Sequence, residues 1–510
     1  MSERLSKLPW VEIGILVLAA VLRVLLLDIK PPHFDEGVNG WFADQMTRLG
    51  HFRYDPNNYH GPLHFYAVFL SQTLFGRNLW ALRLPAIIAS LLSVWALLRY
   101  REFFGTTAAR IAALAMAVSP AYVFYGRYSI HESWMVFFLA SLMWGILGLW
   151  QKGEKRFLYT VVWATTGMIL IKETYVVHVG CFLLAGLTLW LWQKVVPSRP
   201  AWPIAKQQWT GKDWGAPLGL AVLAIVFFYS GNFQDFSLLR GLYQTFGAWF
   251  NTGVEAAGHE KTYYSLFGVE QLNYYWLALM AWYEWPGLLG LILAVGYAGT
   301  TDARLRYVAI YGGGALAAFT IIPYKTPWCI LPILWPFYLI LGATVAAFLN
   351  RWKVLLLGGC AALLSASLGR AIWLNFFHYA DHKIPYVYVQ TDPEIGILTD
   401  PLLQTAKKDP RYYHLRGQLV LDSYYPLPWM LGDFPQVGYY KMDEPPTAYD
   451  GDFIVCEGKN AETIEKGLKG AYYKRSFLLR DAQEKCVVYL REEPLKEWFK
   501  NAKPEILAKP

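Results

Sequence analysis

Ionisable residues recur where long apolar stretches of this sequence end, and charged side chains in such places are costly and tend to be functional. The first group, Asp35 and Glu36, follows the first apolar stretch. Three more groups follow later stretches, and they are Arg127 with His131 and Glu132, Lys172 with Glu173, and Tyr324 with Lys325. The sequence therefore offers acids beside bases at several membrane-border positions.

Acids beside bases suit group transfer from a phosphate ester. A carboxylate can act as general base on a hydroxyl, while Lys, Arg or His can neutralise the oxygens of a leaving phosphate. The phosphate of a lipid-linked phosphosugar would lie at the membrane border, where these residues are expected. Each group also has a structural interpretation: Asp35 and Glu36 as solvated acids past a helix end, Lys172 and Glu173 as a pair, and Lys325 as a snorkelling base.

Histidines near the first group raise the question of a metal site. His33, His60 and His64 could join Asp35 around a metal, but their spacing matches no helical ligand pair of a catalytic zinc motif. No cysteine spacing is typical of a metal site either. We therefore predict no metal ligand and no certain cofactor, and a requirement for a divalent cation stays open.

The elements that must position these residues are membrane helices. Only 16% of the 510 residues are charged and 55% are hydrophobic, whereas soluble proteins carry about 25% charged residues. This composition excludes a disordered or low-complexity chain. The apolar residues fall into about eleven blocks of roughly membrane-spanning length. These blocks are 10–27, 82–98, 108–125, 134–150, 157–171, 176–192, 216–229, 286–297, 308–322, 329–349 and 354–374.

The loops between these blocks predict the orientation. We interpret residues 10–27 as an uncleaved anchor, because the block is long for a signal peptide and no typical cleavage site follows it. Lys and Arg concentrate in alternate loops, which predicts a cytoplasmic N-terminus in the plasma (inner) membrane. The net charge of +8 is then mostly a topology signal, and no nucleic-acid partner is predicted.

The predicted organisation has two domains. Residues 1–374, including an outer loop over 28–81, form a polytopic α-helical membrane domain. Residues 375–510 form a soluble extracytoplasmic α/β domain, in which a disulfide between Cys456 and Cys486 is left open because spacing alone cannot establish its geometry. Short β-rich runs alternate there with a helical run over 461–468, and the β-rich runs are 386–389, 419–421, 453–455 and 487–489.

Several motifs resemble the GT-C polytopic glycosyltransferases, in particular protein O-mannosyltransferases and aminoarabinose lipid A transferases. FDEG at 34–37, HGPL at 60–63 and ALRLP at 81–85 resemble the first outer loop of that superfamily. GRYSIHES, ILIKET and YKTPWCILP, which begin at residues 126, 169 and 324, fall where it keeps further substrate-site loops. KET, YKTPW, VYVQTDPE and PLPW look most like an archaeal-type subfamily described as flippase-activity-associated.

The resemblance implies roles for individual residues. The catalytic acid after the first span matches Asp35, with Glu36 as its neighbour. The bases around the lipid phosphate match Arg83, Lys172 and Lys325, and less closely Arg127, and we add Glu173 and Tyr324 as substrate contacts. His60, which we also take as a substrate contact, stands where the aminoarabinose transferases have the lysine of a Lys-Pro-Pro-Leu run, so this chain departs from their pattern at this position.

The predicted function is that of an inverting glycosyltransferase on the outer membrane face. Its expected partners are a polyprenyl-phosphate-sugar donor, membrane lipid, and a protein, lipid or glycan acceptor. Two alternatives stay open, a lipid-linked sugar transporter or non-catalytic flippase partner, and a scaffold that docks a partner through the outer domain. A transporter would carry charges near the membrane midplane and matching interrupted helices, and neither pattern is seen in the sequence.

Overall fold

The structure, a computed structural model, describes residues 9–55, 58, 60–195, 204–254, 274–297, 302–480, 485–500 and 502–507. The chain separates into two compact units. One comprises Met1–Leu27 with Met46–His378, and the other comprises Asp28–Gln45 with Tyr379–Pro510. Residues 28–45 thus group with the C-terminal residues, whereas the sequence analysis placed them in the membrane domain. The boundary predicted at residue 374 stays a prediction.

The first unit is helical. Six of its helices are long and apolar enough to cross a membrane, within the ranges that the structure describes, and three shorter ones are apolar. From the N-terminus to His378 the α-helices are α1 Trp10–Val24, α2 Phe34–Leu49, α3 Leu63–Phe75, α4 Leu79–Arg99, α5 Arg101–Phe104, α6 Thr106–Val118, α7 Pro120–Tyr125, α8 Glu132–Gln151, α9 Lys155–Ile171, α10 Tyr175–Val195, α11 Gly215–Tyr229, α12 Gly241–Val254, α13 Tyr275–Tyr283, α14 Trp285–Tyr297, α15 Ala303–Ile321, α16 Leu331–Phe348 and α17 Lys353–Ile372. The prediction of a many-helix membrane protein is confirmed, and the count of eleven spans stays a prediction.

One predicted span is in fact two helices. The apolar block 108–125 breaks at Ser119, where α6 ends and α7 begins. The Ser119 side chain accepts a hydrogen bond from the Tyr122 amide, and Pro120 at the next position suits the first turn of a new helix. The buried Glu284 carboxylate accepts hydrogen bonds from Ser119 Oγ (2.7 Å) and the Ala121 amide (2.7 Å). The Ala121 and Tyr122 amides at the break thus have hydrogen-bond partners inside the protein.

The second unit contains a six-stranded mixed sheet. Its strands are β1 Gly417–Val420, β2 Val437–Tyr440, β3 Phe453–Glu457, β4 Ala471–Leu478, β5 Lys485–Arg491 and β6 Ile506–Leu507. They lie in the order β2-β1-β3-β5-β4-β6, with β1 parallel to β2 and β3 and the other pairs antiparallel. The helices that accompany the sheet are α18 Gly396–Lys408, α19 Leu427–Met430, α20 Ala461–Glu465 and α21 Glu492–Leu495.

The α/β prediction for this unit is confirmed, with one difference in detail, and the open question of a disulfide is answered. Residues 386–389 form no strand, whereas the other three β-rich runs do. No disulfide joins Cys456 and Cys486. In the register of β3 and β5, Cys456 lies opposite Val487 and Cys486 lies opposite Glu457, so their side chains point to opposite faces of the sheet. They pack in two different cores, and a disulfide is excluded by this geometry.

Candidate active site

The predicted acids Asp35 and Glu36 lie in the first turn of α2, where they have different environments. One Glu36 carboxylate oxygen accepts a hydrogen bond from the His33 amide (2.9 Å), while His33 Nδ1 accepts one from the Asp35 amide (3.0 Å). This reciprocal arrangement is a capping box with histidine at the cap position. Glu36 is fully buried, whereas the Asp35 side chain is 37% exposed. Asp35 is therefore the acid of this pair that a substrate can reach.

His33 is a neutral residue with a defined proton position. Because its Nδ1 accepts a hydrogen bond, the ring proton lies on Nε2, which donates to the Tyr388 carbonyl oxygen (2.7 Å). Burial lowers the pKa of His33, and the opposing effect of the nearby Asp35 carboxylate is weaker. The 4.0 Å approach of His33 Nδ1 to Asp35 Oδ2 is therefore no ion pair.

Close packing holds α2 against the run PLPW at 426–429. A Cβ added at Gly37 would lie 2.4 Å from the Pro426 Cα, and one added at Gly40 would lie 2.3 Å from Cδ1 of Trp429. These distances leave no room for any side chain at either position. The absence of side chains at Gly37 and Gly40 therefore allows α2 to pack closely against the PLPW run of the same unit.

A second polar group forms in the helical unit from three of the sequence motifs. Lys172, just after α9, pairs with Glu132 at the start of α8, and both side chains are buried. His60 Nδ1 lies 3.0 Å from a Glu173 carboxylate oxygen. The backbones of His60 and Lys172 form an antiparallel bridge, and the Gly61 amide donates to the Ile171 carbonyl oxygen (3.0 Å). HGPL, GRYSIHES and ILIKET thus meet at one end of the helices.

In this second group, the surroundings favour a charged Lys172 and a neutral His131. Burial acts to lower the pKa of Lys172, but the Glu132 carboxylate outweighs burial and the pKa is raised. Burial sets the pKa of His131 well below its ordinary value, and the neighbouring His60 and His64 add to this effect. The His131 ring centroid lies 4.6 Å from that of His60 and 4.7 Å from that of His64.

Nε2 of His131 and Oε1 of Glu173 are buried polar atoms of this group without a hydrogen-bond partner among the described residues. A buried polar atom without a partner costs free energy unless a ligand or water satisfies it. His64 Nε2 lies 3.1 Å from Ser129 Oγ. Within the described ranges, no set of three His, Cys, Asp or Glu side chains is arranged to hold a metal ion.

Three of the predicted phosphate-binding bases hold the ends of helices. The Lys325 ammonium donates to the carbonyl oxygens of Phe319 (2.9 Å), Thr320 (2.8 Å) and Ile322 at the end of α15. Burial lowers the pKa of Lys325 to about 8. Such contacts between a base and the last carbonyls of a helix are favourable, since they complement the helix dipole.

The other two bases meet just after α1. Arg127 donates to the carbonyl oxygens of Leu25 (2.7 Å) and Leu26, and Arg83 donates to that of Leu27. Both arginines are buried. They hold the chain directly before residue 28, where the second unit begins.

The predicted site residues thus fall into two sets. Asp35 and Glu36 belong to the second unit, and the remaining predicted residues belong to the first. Tyr324 is half-buried there. Sequence reasoning missed the capping role of His33, the buried Glu284 at the helix break, and Arg23 inside α1, whose Nε donates to Ser90 Oγ (2.7 Å). An acid or base within an otherwise apolar block was the available signal for Arg23 and Glu284.

Comparison with known proteins adds a family match over part of the chain. Residues 59–204 match the dolichyl-phosphate-mannose-protein mannosyltransferase family. The chain is 28% identical over 183 residues to the Bacillus subtilis (strain 168) protein named "Putative mannosyltransferase YkcB". That match covers 33% of this chain and 24% of the relative, so the chain spans about a quarter of the relative's length.

Solved structures match over nearly the whole chain. ArnT from Cupriavidus metallidurans, bound to undecaprenyl phosphate, superposes with a TM-score of 0.62 at 12% identity, covering 94% of this chain and 97% of ArnT. The chain has the GT-C fold. The oligosaccharyltransferase of Archaeoglobus fulgidus, in complex with Zn and sulfate, matches the GT-C fold of this chain with a TM-score of 0.52 at 13% identity, over 91% of this chain and 72% of the enzyme. The predicted fold and multi-pass membrane character are confirmed.

Proposed function

We propose that this chain is an inverting glycosyltransferase that moves a sugar from a polyprenyl-phosphate donor to an acceptor hydroxyl on the outer membrane face. The family match and the GT-C fold together indicate the class, a membrane glycosyltransferase. ArnT, the matched structure, was solved with undecaprenyl phosphate, which supports a lipid phosphate of this type as the leaving group here.

The exposed Asp35 is the observation that carries the mechanism. Its carboxylate accepts the proton of the acceptor hydroxyl while that oxygen forms a bond to the anomeric carbon. The bond from this carbon to the phosphate oxygen breaks on the opposite face, so the configuration inverts. Glu36 supports the turn that presents Asp35, because its own carboxylate caps the helix. We therefore assign Glu36 a positioning role.

The bases of the helical unit balance the charge that develops on the lipid phosphate. Lys172, Lys325, Arg83 and Arg127 supply the positive charge in this proposal. Lys325 is the base among them whose lowered pKa lets its charge respond to a phosphate, since an adjacent anion favours the protonated ammonium. The unpartnered Glu173 oxygen supports a contact with a sugar hydroxyl.

The proposal places the helical unit in the plasma membrane with a cytoplasmic N-terminus and an extracytoplasmic C-terminal unit. The distribution of Lys and Arg in the loops supports this orientation. Labelling of a single cysteine placed in the C-terminal unit by a membrane-impermeant reagent on intact cells tests it, and protection of that cysteine would reverse the orientation.

The decisive experiment replaces Asp35 by asparagine in membranes supplied with a polyprenyl-phosphate sugar. We expect Asp35→Asn to abolish sugar transfer and the release of polyprenyl phosphate, with expression unchanged. Asp28→Asn is the matched control, because Asp28 is an exposed acid seven residues earlier in the same unit. Undiminished turnover by Asp35→Asn would refute the assignment, and donor binding without any Asp35-dependent release would favour a non-catalytic flippase partner.

A further inference from the structure

A groove of about 420 Å³ lies on the helical unit between α4, α8 and α9. This volume falls within the range of small-molecule sites. Its walls are aromatic, with Trp95, Trp144, Tyr159 and Trp163 among the lining side chains. The groove extends from the middle of α8 to Arg99, the last residue of α4. The polar group described above lies at the other end of α8, so the two places are distinct.

Arg99 closes the groove with a cation in an unusual setting. Its guanidinium carbon lies 5.7 Å from the ring centroid of Trp95 and 5.5 Å from that of Trp144. Within the described part of the chain, no carboxylate or hydrogen-bond acceptor is paired with this side chain. A cation over aromatic faces stays available to an anion that approaches from the open side.

The acids close to this helix end already have basic partners. Arg156 pairs with Glu154 at 2.7 Å and also with Glu102, and Lys152 pairs with the same Glu102. These pairs leave Arg99 without a counter-charge from the described residues around it. Among the described residues, Arg99 therefore has aromatic neighbours and no counter-charge.

We propose that this groove binds an anionic membrane phospholipid, with an acyl chain against the aromatic walls and the headgroup phosphate on Arg99. The groove matches such a lipid in two ways. Its aromatic walls extend toward the middle of the helices, where an acyl chain would lie, and Arg99 lies at the helix end, where the headgroup would lie. Basic pockets between membrane helices bind anionic headgroups in this way. The site is independent of the proposed transfer reaction. At the same helix end, the Arg156 guanidinium lies 5.7 Å from the ring centroid of Trp144.

Native mass spectrometry of the full chain in phosphatidylcholine nanodiscs doped with phosphatidylglycerol tests the site. We expect retained phosphatidylglycerol on the wild type, and about fivefold weaker binding in Arg99→Gln, the loss typical of one basic residue at a membrane surface. Arg101→Gln is the control, because it removes the same charge two residues away and does not line the groove. Ser141→Phe fills the groove while keeping Arg99, and we expect it to lose the bound lipid as well.

Three results would overturn the proposal. The first is an equal loss in Arg99→Gln and Arg101→Gln, which would mean attraction to general surface charge. The second is wild-type protein that retains phosphatidylglycerol no better than phosphatidylcholine. The third is preferential retention of undecaprenyl phosphate over phosphatidylglycerol in nanodiscs doped with both. If Arg99→Gln does not fold, unchanged binding of phosphatidylglycerol by Ser141→Phe would be enough to refute the proposed lipid site.

Discussion

Replacing Gly40 by alanine tests whether close packing of α2 sets the position of Asp35. The new Cβ would lie 2.3 Å from Cδ1 of Trp429, so the indole or the helix must move by about 1 Å to restore ordinary contact. Overpacking of this kind costs about 1–3 kcal/mol, and the better helix propensity of alanine returns about 0.5–1 kcal/mol. We therefore expect a net loss of about 0–2.5 kcal/mol in the unfolding free energy of this unit.

The effect on transfer should be much larger than the effect on stability. A shift of about 1 Å in a reacting group can cost about 100-fold in rate, so Gly40→Ala should lower sugar transfer by about that factor while most of the protein stays folded. Denaturant unfolding and initial transfer rates in proteoliposomes measure the two quantities. Gly369→Ala in α17 is the control, because a Cβ there meets nothing within 4 Å.

A double variant separates the steric cause from a general effect. Gly40→Ala combined with Trp429→Leu removes the ring that the new methyl group meets, and we expect it to recover part of the lost transfer. Wild-type rate and stability in Gly40→Ala alone would refute the reasoning, as would equal losses in the Gly369→Ala control.

Three further predictions concern the charged and sulfur-containing groups. Lys172→Met should lower the unfolding free energy by about 3–5 kcal/mol in denaturant titrations, because it leaves Glu132 buried and unpaired. The double variant with Glu132→Leu should recover much of the lost free energy. The pKa of Lys325 is about 8, so its positive charge is present below that pH and lost above it. We therefore expect donor binding to weaken between about pH 7 and 9. Lys325→Arg should extend binding to higher pH, because arginine keeps its charge there. Reductant should leave the melting temperature unchanged, because Cys456 and Cys486 lie on opposite faces of the sheet, and a fall in Tm would contradict this register.

The sequence predicts the fold class well, because apolar blocks and their borders are strong signals. It predicted that the motifs around His60, Glu132 and Lys172 lie at one membrane face, and the structure brings these residues into contact. The break at Ser119 was missed, since a capped helix start inside an apolar block leaves hydropathy unchanged.

The partners of individual charges could not be predicted. The family resemblance singles out Asp35 over Glu36, and the capping bond from the His33 amide to Glu36 supplies a physical reason for the distinction. Histidine is not among the favoured N-cap residues, so the usual signature of a capping box was absent. The carbonyl partners of Lys325 come from backbone geometry, and residue types carry little information about them.

The packing of α2 on the PLPW run also orders events during synthesis. Asp35 leaves the ribosome early, whereas Pro426 and Trp429, which fit against Gly37 and Gly40, emerge near the end of the chain. At about 5 to 20 residues per second, roughly 390 intervening residues take about 20 to 80 s to synthesise. During that interval the helix with the exposed acid has no partner, so a nascent or prematurely terminated chain cannot complete the unit that presents Asp35. The contact between α2 and the PLPW run therefore makes synthesis through Trp429 a condition for completing the unit that presents Asp35.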